Sequence, residues 1–366
     1  MEAAMAAEKA MTVALEAVTP LFLAGAEPRG QPELRPPSFR GALRYWLRAA
    51  LGGVLGDAPQ RVAQAEAAVF GSTNPEWGGA SAVTVRIRHG SLPQPQLYQR
   101  TGLTGSGYLF WSMAESGRGR PDRYQAGKQF FPQGTSCDLT LACRPGVGAP
   151  DAALAQAAAA LWLLVHLGGV GSRARRAGGS LAVREALEFQ GLRFALRGND
   201  ASAVAGELAA ALRRVREICT QATGGDPDRS VAAPSSFDIL HPQTCRVWVL
   251  GLWPSLDGAL ASIGNWLRQA RQAQPIGERV VFGLPMQRVD LDGVDRRASP
   301  LWLSVTRAGQ QYVGIATLFH SQFLPPGARV SVNGQPVSIP SDSRTVERAV
   351  TAWVKGPSGG AEVRYA

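Results

Sequence analysis

The sequence predicts an α+β fold whose first half is a ferredoxin-like unit, an antiparallel sheet covered by two helices. Three observations carry that expectation. Residues alternate apolar and polar near 12–18, 83–89 and 138–143; long helical stretches occupy 38–55 and 152–167; and, with a short strand at 181–184, the elements follow in the order β-α-β-β-α-β. At 366 residues, with 45% apolar and 18% charged side chains, the chain is long enough for two domains with a sizeable core.

The first strand leads through a proline-rich loop to Pro36 and Pro37, which hold the chain extended, so Ser38 is expected to cap a helix over 38–55. On that helix Phe39, Leu43, Trp46, Leu47 and Ala50 gather on one side. Arg40, Arg44 and Arg48 form a stripe on an adjoining side, stepping along the axis by about 6 Å. Such a row suits a polyanion better than a small ligand, although a solvated helix face explains it too. After the second strand comes a long insertion, 92–130, with Gly102, Gly105, Gly107, Arg118, Arg120, Arg123 and Lys128, a basic segment suited to clasping RNA. The third strand and the helix over 152–167 follow. Residues 152–171 carry no formal charge, but alanine, Gln156, His166 and three glycines make the stretch too weakly apolar for a membrane span, so a buried domain helix is expected. The loop behind it, 168–180, sets Arg173, Arg175 and Arg176 among five glycines. Glycine lets backbone amides turn toward a guest, and three guanidinium groups make a phosphate the natural one.

The second half is expected to hold a helix over 203–220, loops near 223–228 and 233–236, a strand over 246–252 and a helix over 256–272. A strand over 280–284, two pairing strands at 301–306 and 312–318 turning near Gly309, a helix over 344–354 and a last strand at 362–365 complete it. This order allows a second ferredoxin-like unit, dividing the chain into 1–195 and 196–366.

Several chemistries are disfavoured by order and spacing. The glycine-rich loop follows a helix, precedes a strand and lacks lysine, the reverse of a nucleotide-binding P-loop. Gly356-Pro-Ser-Gly-Gly360 likewise runs from helix to strand, opposite to a serine-nucleophile elbow. Asp290, Asp292 and Asp295 lack the spacing of a calcium loop, and Cys137, Cys143, Cys219 and Cys245 lack zinc spacing or disulfide density, so no cofactor or metal is expected and the thiols are expected to be reduced, as in a cytoplasmic protein. Residues 1–10 lack the apolar core of a secretory signal. The formal charge of +10 points to an acidic partner, most often nucleic acid.

The segments Thr19-Pro-Leu-Phe-Leu-Ala-Gly-Ala and Glu33-Leu-Arg-Pro-Pro-Ser-Phe-Arg-Gly-Ala-Leu-Arg-Tyr-Trp resemble the N-terminal signature of the RAMP superfamily. More narrowly, they resemble the family of first Cmr subunits of type III-B CRISPR effector complexes. The loop 168–180 is similar to the superfamily's glycine-rich loop, and Phe282-Gly-Leu-Pro and Arg296-Arg-Ala-Ser-Pro-Leu are similar to the family's C-terminal half. The resemblance implies two tandem ferredoxin-like (RRM-like) domains in an antiviral-defence ribonucleoprotein subunit that holds RNA without cutting it. Its partners would be other Cmr-complex subunits, the 3′ region of the CRISPR RNA and the 5′ region of target RNA, with no membrane. By motif position the RNA-contacting role falls on Arg35, Arg40, Arg44 and Arg48, on Gly169, Gly171, Ser172, Arg173, Arg175 and Arg176, and on Arg296 and Arg297. The same superfamily includes metal-independent endoribonucleases that process CRISPR RNA with a general base, commonly histidine. Of His89, His166, His241 and His320, His166 lies nearest the loop, but Trp162, Leu163 and Val165 around it favour a core histidine. A general RNA-binding adaptor is the third reading. Trp77, Trp111 and Trp302 are left open between base stacking, core packing and a partner interface.

Overall fold

The structure is a computed structural model that describes residues 9–117, 121–284, 289–291, 297–324, 327–338, 343–357 and 359–366. In the first half β1 (Ala10–Ala17), α1 (Pro36–Leu55), α2 (Pro59–Phe70), β2 (Val83–Arg88), β3 (Ser136–Cys143), α3 (Pro150–Leu167) and β4 (Leu181–Val183) follow in order. The sheet is antiparallel throughout, ordered β2-β3-β1-β4, with Leu15 opposite Cys137 on one side and Val183 on the other. Helix α2 was not foreseen; it packs Val62, Val69 and Phe70 into the core beside α1.

After α4 (Ala201–Thr223), the second half contains β5 (Cys245–Trp253), α5 (Leu256–Gln272), β6 (Leu301–Ala308), β7 (Gln311–Phe319), α6 (Arg344–Lys355) and β8 (Ala361–Glu362). Its four-stranded sheet is ordered β6-β7-β5-β8 and is again antiparallel. Each half thus places its strands in the spatial order second, third, first, fourth.

Two local expectations are corrected. Ser38 does not cap α1. The cap is Arg35, in extended conformation, and Pro36 and Pro37 sit inside the first turn, where a missing N–H costs nothing and a fixed φ fits the helix. The strand expected over 280–284 is absent: Val280–Phe282 form a 3-10 turn continuing from the short helix Ile276–Arg279. All three side chains are buried, and so short an apolar run fits a buried turn as well as a strand.

Helix α3 is the axis of the fold. Its N-terminal Pro150 starts it, and Ala157, Ala158, Ala159 and Ala160, all fully buried, let neighbouring elements approach closely. It is apolar and long enough to cross a membrane, yet it lies within the protein interior, with 83% of its residues buried. One hydrophobic cluster runs from Met11 in β1 through α1, α3 and α4 to Phe319 and Tyr365, so the halves share a core. The insertion contributes to a second cluster. Leu109, Phe110 and Met113 pack beside Leu260, Ile263 and Leu267 of α5, and Gly105 donates its N–H to Asn265 Oδ1 at 2.9 Å. This part of the segment expected to clasp RNA is therefore committed to protein; Arg118 and Arg120 lie outside the described residues. The four cysteines are free and buried.

His166 is 1% exposed and packs against Trp162 with the rings tilted by 49° and their centroids 4.5 Å apart. Burial pushes its pKa down to about 3, with the Phe194 backbone only weakly opposing. Because this lies below the ordinary value of 6.5, the unfolded chain takes up the proton first, so stability is full above about pH 6.5 and is lost as pH falls toward 3. Replacing His166 with leucine is expected to remove that part of the acid sensitivity, on the order of 4 kcal/mol at pH 3. Urea midpoints between pH 4 and 7 should therefore change less with pH in the variant than in the parent.

Candidate nucleic-acid interface

The arginine stripe of α1 is present but divided between two hollows. Arg40 donates to the carbonyl of Phe70 at the end of α2. Arg44 Nε lies 2.7 Å from Glu66 Oε1, and its Nη2 donates to Oε2 at 3.0 Å. Glu66 is 2% exposed; burial raises its carboxyl pKa and Arg44, the nearest cation, works against that rise. Arg40 and Arg44 line a groove of about 450 Å³ with Arg144, Ser81 and Thr84, which continues into a hollow of about 310 Å³ reaching Ser72. Arg48, one turn on, is exposed, has no hydrogen bond or ion pair among the described residues, and faces a different cavity of about 610 Å³. Arg35 turns back to the loop after β1, donating to Ala24 O at 3.4 Å and lying 3.7 Å from Glu33.

The glycine-rich loop is built for close backbone packing. Gly171 has φ +87° and a Cβ there would sit 2.5 Å from Phe22 O, which also accepts the Ser172 N–H at 2.9 Å. At Gly169 a Cβ would meet Gly178 O at 2.8 Å, so the loop folds onto itself. Ser172 Oγ accepts from Lys128 Nζ at 3.0 Å, and burial together with Arg29 lowers the Lys128 pKa.

The three loop arginines reach across to other segments. Arg173 Nε donates to Leu109 O at 2.7 Å, and Arg176 donates to the carbonyls of Phe282 and Leu301. Burial pushes Arg173 down to about 10 and Arg176 to about 9, so both stay charged at neutral pH. Arg175 donates to Ser299 O at 2.6 Å and Asp238 Oδ2 at 3.1 Å, with its guanidinium carbon 4.5 Å from the Trp302 ring. Asp238 also accepts from Tyr45 Oη at 2.6 Å and Ser321 Oγ at 2.6 Å, and Trp302 Nε1 donates to Tyr45 Oη at 2.9 Å. Burial, followed by the nearby Asp238 carboxylate, raises the Tyr45 pKa well above its ordinary value, so the hydroxyl keeps its proton.

The structure therefore gathers Arg48, Arg175 and Arg297 at one cavity and Arg40 and Arg44 at a neighbouring groove, and it sends Arg173 and Arg176 into the seam between the halves. Arg297 donates to Gln322 O at 2.5 Å beside the Phe323 ring; Arg296 lies outside the described residues. Trp302 is a seam residue at 8% exposure, Trp77 is half-buried and Trp111 is 48% exposed. Sequence reasoning missed Tyr45, Asp238 and Arg144. Tyr45 lies inside the motif helix and Arg144 directly after β3, neither set apart by spacing, and nothing around Asp238 marks it. Among the described residues no three histidine, cysteine or acidic side chains come together to hold a metal.

Arg44 faces a buried carboxylate, so truncating it alone strands a charge. Arg44→Ala is expected to cost about 3 kcal/mol in urea unfolding, whereas the paired change Arg44→Met with Glu66→Leu should recover most of that loss. Asp238→Ala is expected to lower the melting temperature as well, because it leaves Arg175 and the Tyr45 hydroxyl without their shared acceptor.

A family model described as the RAMP superfamily matches residues 14–182. The CRISPR system Cmr subunit Cmr1-1 of Pyrococcus furiosus is 30% identical over 322 residues, covering 85% of this chain and 88% of the relative. The crystal structure of Cmr1 from Pyrococcus furiosus in its apo form superposes with a TM-score of 0.65 at 25% identity, over 97% of this chain and 98% of the other. A chain from a cryo-EM structure of the type III-B Cmr-beta complex bound to cognate target RNA shares the fold at 12% identity, with a TM-score of 0.55 over 95% of this chain and 100% of that one. With that identity sustained over most of both chains, this protein belongs to the Cmr1 family of RAMP-superfamily proteins.

Proposed function

We propose that the protein is a non-catalytic RNA-binding and assembly subunit of a type III-B CRISPR effector complex in the cytoplasm, built as two tandem ferredoxin-like units dividing near residues 195 and 196. The observation that carries the reading is the pair of arginine-lined hollows on the two flanks of α1, in a chain so similar to a Cmr subunit along its length. Guanidinium groups fixed on a rigid helix bind a sugar-phosphate backbone without reading its sequence. The RNA would be the 3′ region of the CRISPR RNA, the 5′ region of the target, or both, with neighbouring Cmr subunits completing the path. Arg48 and Arg40 make the direct contacts, Arg44 contributes through its exposed edge, and Arg35, Arg173 and Arg176 hold the surrounding backbone. Gly169, Gly171 and Ser172 shape the loop, and Arg297 adds a cation to the cavity; Arg296 is proposed as an RNA contact by its motif position alone.

His166 supports no nuclease reading: it is sealed in the core and its pKa is far below neutrality. Purified protein incubated with labelled single-stranded RNA is expected to retain it without scission. Arg48→Ala is expected to weaken binding and to reduce the slope of log affinity against log salt by about one. Discrete cuts abolished by His166→Ala would overturn the reading, as would RNA affinity unaffected by Arg40→Ala and Arg48→Ala together.

A further inference from the structure

The two connected hollows on the α2 flank of α1, of about 450 and 310 Å³, lie within the first half and share four lining residues, Arg40, Arg44, Ser81 and Arg144. Arg40 and Arg44 stand one turn apart on α1. Ser81, just before β2, and Arg144, just after β3, face them from the sheet, where the Arg144 N–H donates to Ala82 O at 2.9 Å. Charge therefore converges from two sides instead of running along a row. Gly71 lets this wall close, since its φ is +75° and a Cβ there would sit 2.7 Å from Ser81 N. Several donors are unused. Ser81 is 4% exposed and its hydroxyl makes no hydrogen bond among the described residues. Arg40 Nε is buried without a partner, and Arg144 is exposed with no side-chain partner among the described residues. A buried donor without an acceptor costs free energy, which an anion seated in the hollow would recover.

The lining selects among anions. Among the described residues no aromatic ring lines either hollow, so a base finds no stacking partner there. An internal phosphodiester offers two free oxygens and a single negative charge, whereas a phosphomonoester offers three acceptor oxygens and close to two charges at neutral pH. Three guanidinium groups set against the carboxylate of Glu66, which takes one edge of Arg44, leave two positive charges to be matched. We infer that these hollows hold a phosphomonoester dianion, its oxygens shared by Arg40, Arg144, the Ser81 hydroxyl and the open edge of Arg44. The inference rests on the proposed function only for its source, the phosphorylated end of an RNA chain; inorganic phosphate presents the same chemistry.

The test compares one RNA sequence carrying a 5′-phosphate, a 3′-phosphate or hydroxyls at both ends. One of the phosphorylated strands is expected to bind about tenfold more tightly than the hydroxyl-ended strand, the worth of a charge-assisted hydrogen bond to the added group. Arg144→Ala changes an exposed side chain and leaves the fold intact; it should bring that ratio close to one, and Ser81→Ala should lower it by a smaller factor. Calorimetric titration with inorganic phosphate at constant ionic strength should give a saturable heat in the parent that Arg144→Ala removes. Phosphate heat with equal affinity for the three RNAs would support the hollow as a site and assign it to free phosphate. Phosphate heat with no binding of any RNA would support it too, while removing the RNA-subunit reading. Equal RNA affinities with no phosphate heat, or a preference that survives both substitutions, would overturn the hollow inference and leave the RNA-subunit reading standing.

Discussion

The ion pair between Arg175 and Asp238 is the constraint on which the rest of the architecture depends. Asp238 collects donors from α1 through Tyr45, from the glycine-rich loop through Arg175 and from the segment after β7 through Ser321. Trp302 of β6 closes the cluster by stacking on Arg175 and donating to Tyr45. Three segments distant in sequence thus donate to one carboxylate, and a fourth packs against the donors. Each donor is made stronger by the low dielectric around it, and each would be costly to leave unsatisfied.

The arginines of this protein divide their work accordingly. Positive charge on the whole chain points toward nucleic acid, but a buried guanidinium spent on carbonyls of other segments is a structural strut. Arg173 and Arg176 join the first half to the insertion and to the second half. Arg44 neutralises a buried glutamate. Of the arginines lining the two hollows, Arg48 and Arg144 have no side-chain partner among the described residues, Arg40 and Arg297 each spend a donor on a carbonyl, and Arg44 keeps one exposed edge, so these are the ones open to a ligand. Ser180 extends the seam by accepting the Val305 N–H at 3.1 Å, as does Ser304 by donating to His166 O at 2.7 Å.

Much of the fold was legible because its long elements are strongly periodic. The helix expected over 256–272 is found at Leu256–Gln272, and the hairpin turning near Gly309 is found with Gly309 at φ +56°. The failures have local causes. Pro59–Phe70 is a short helix whose four alanines and two glutamines give a weak apolar pattern, and Val280–Phe282 is too brief a run to reveal its period. At the candidate site, the four-residue arginine spacing did place three guanidinium groups on α1. Which of them meets a carboxylate depended on Glu66, brought alongside by the unforeseen helix α2. Asp238 was invisible for a related reason: its importance is purely tertiary, and no spacing in the sequence announces the three donors that converge on it.

Helix α1 also sets a restriction of a different kind. Its residues from Arg40 to Arg48 serve a groove on one flank and a cavity on the other, along a rod whose every residue turns the next by about 100° and advances it about 1.5 Å. Exchanging one letter in that stretch alters the contacts of one side chain, but adding or removing one residue would swing everything beyond it by more than a quarter of a revolution. Trp46 would leave the core as Arg48 left the cavity mouth. This stretch is therefore governed by count before identity: drift in its letters can be absorbed one contact at a time, whereas a change in length cannot.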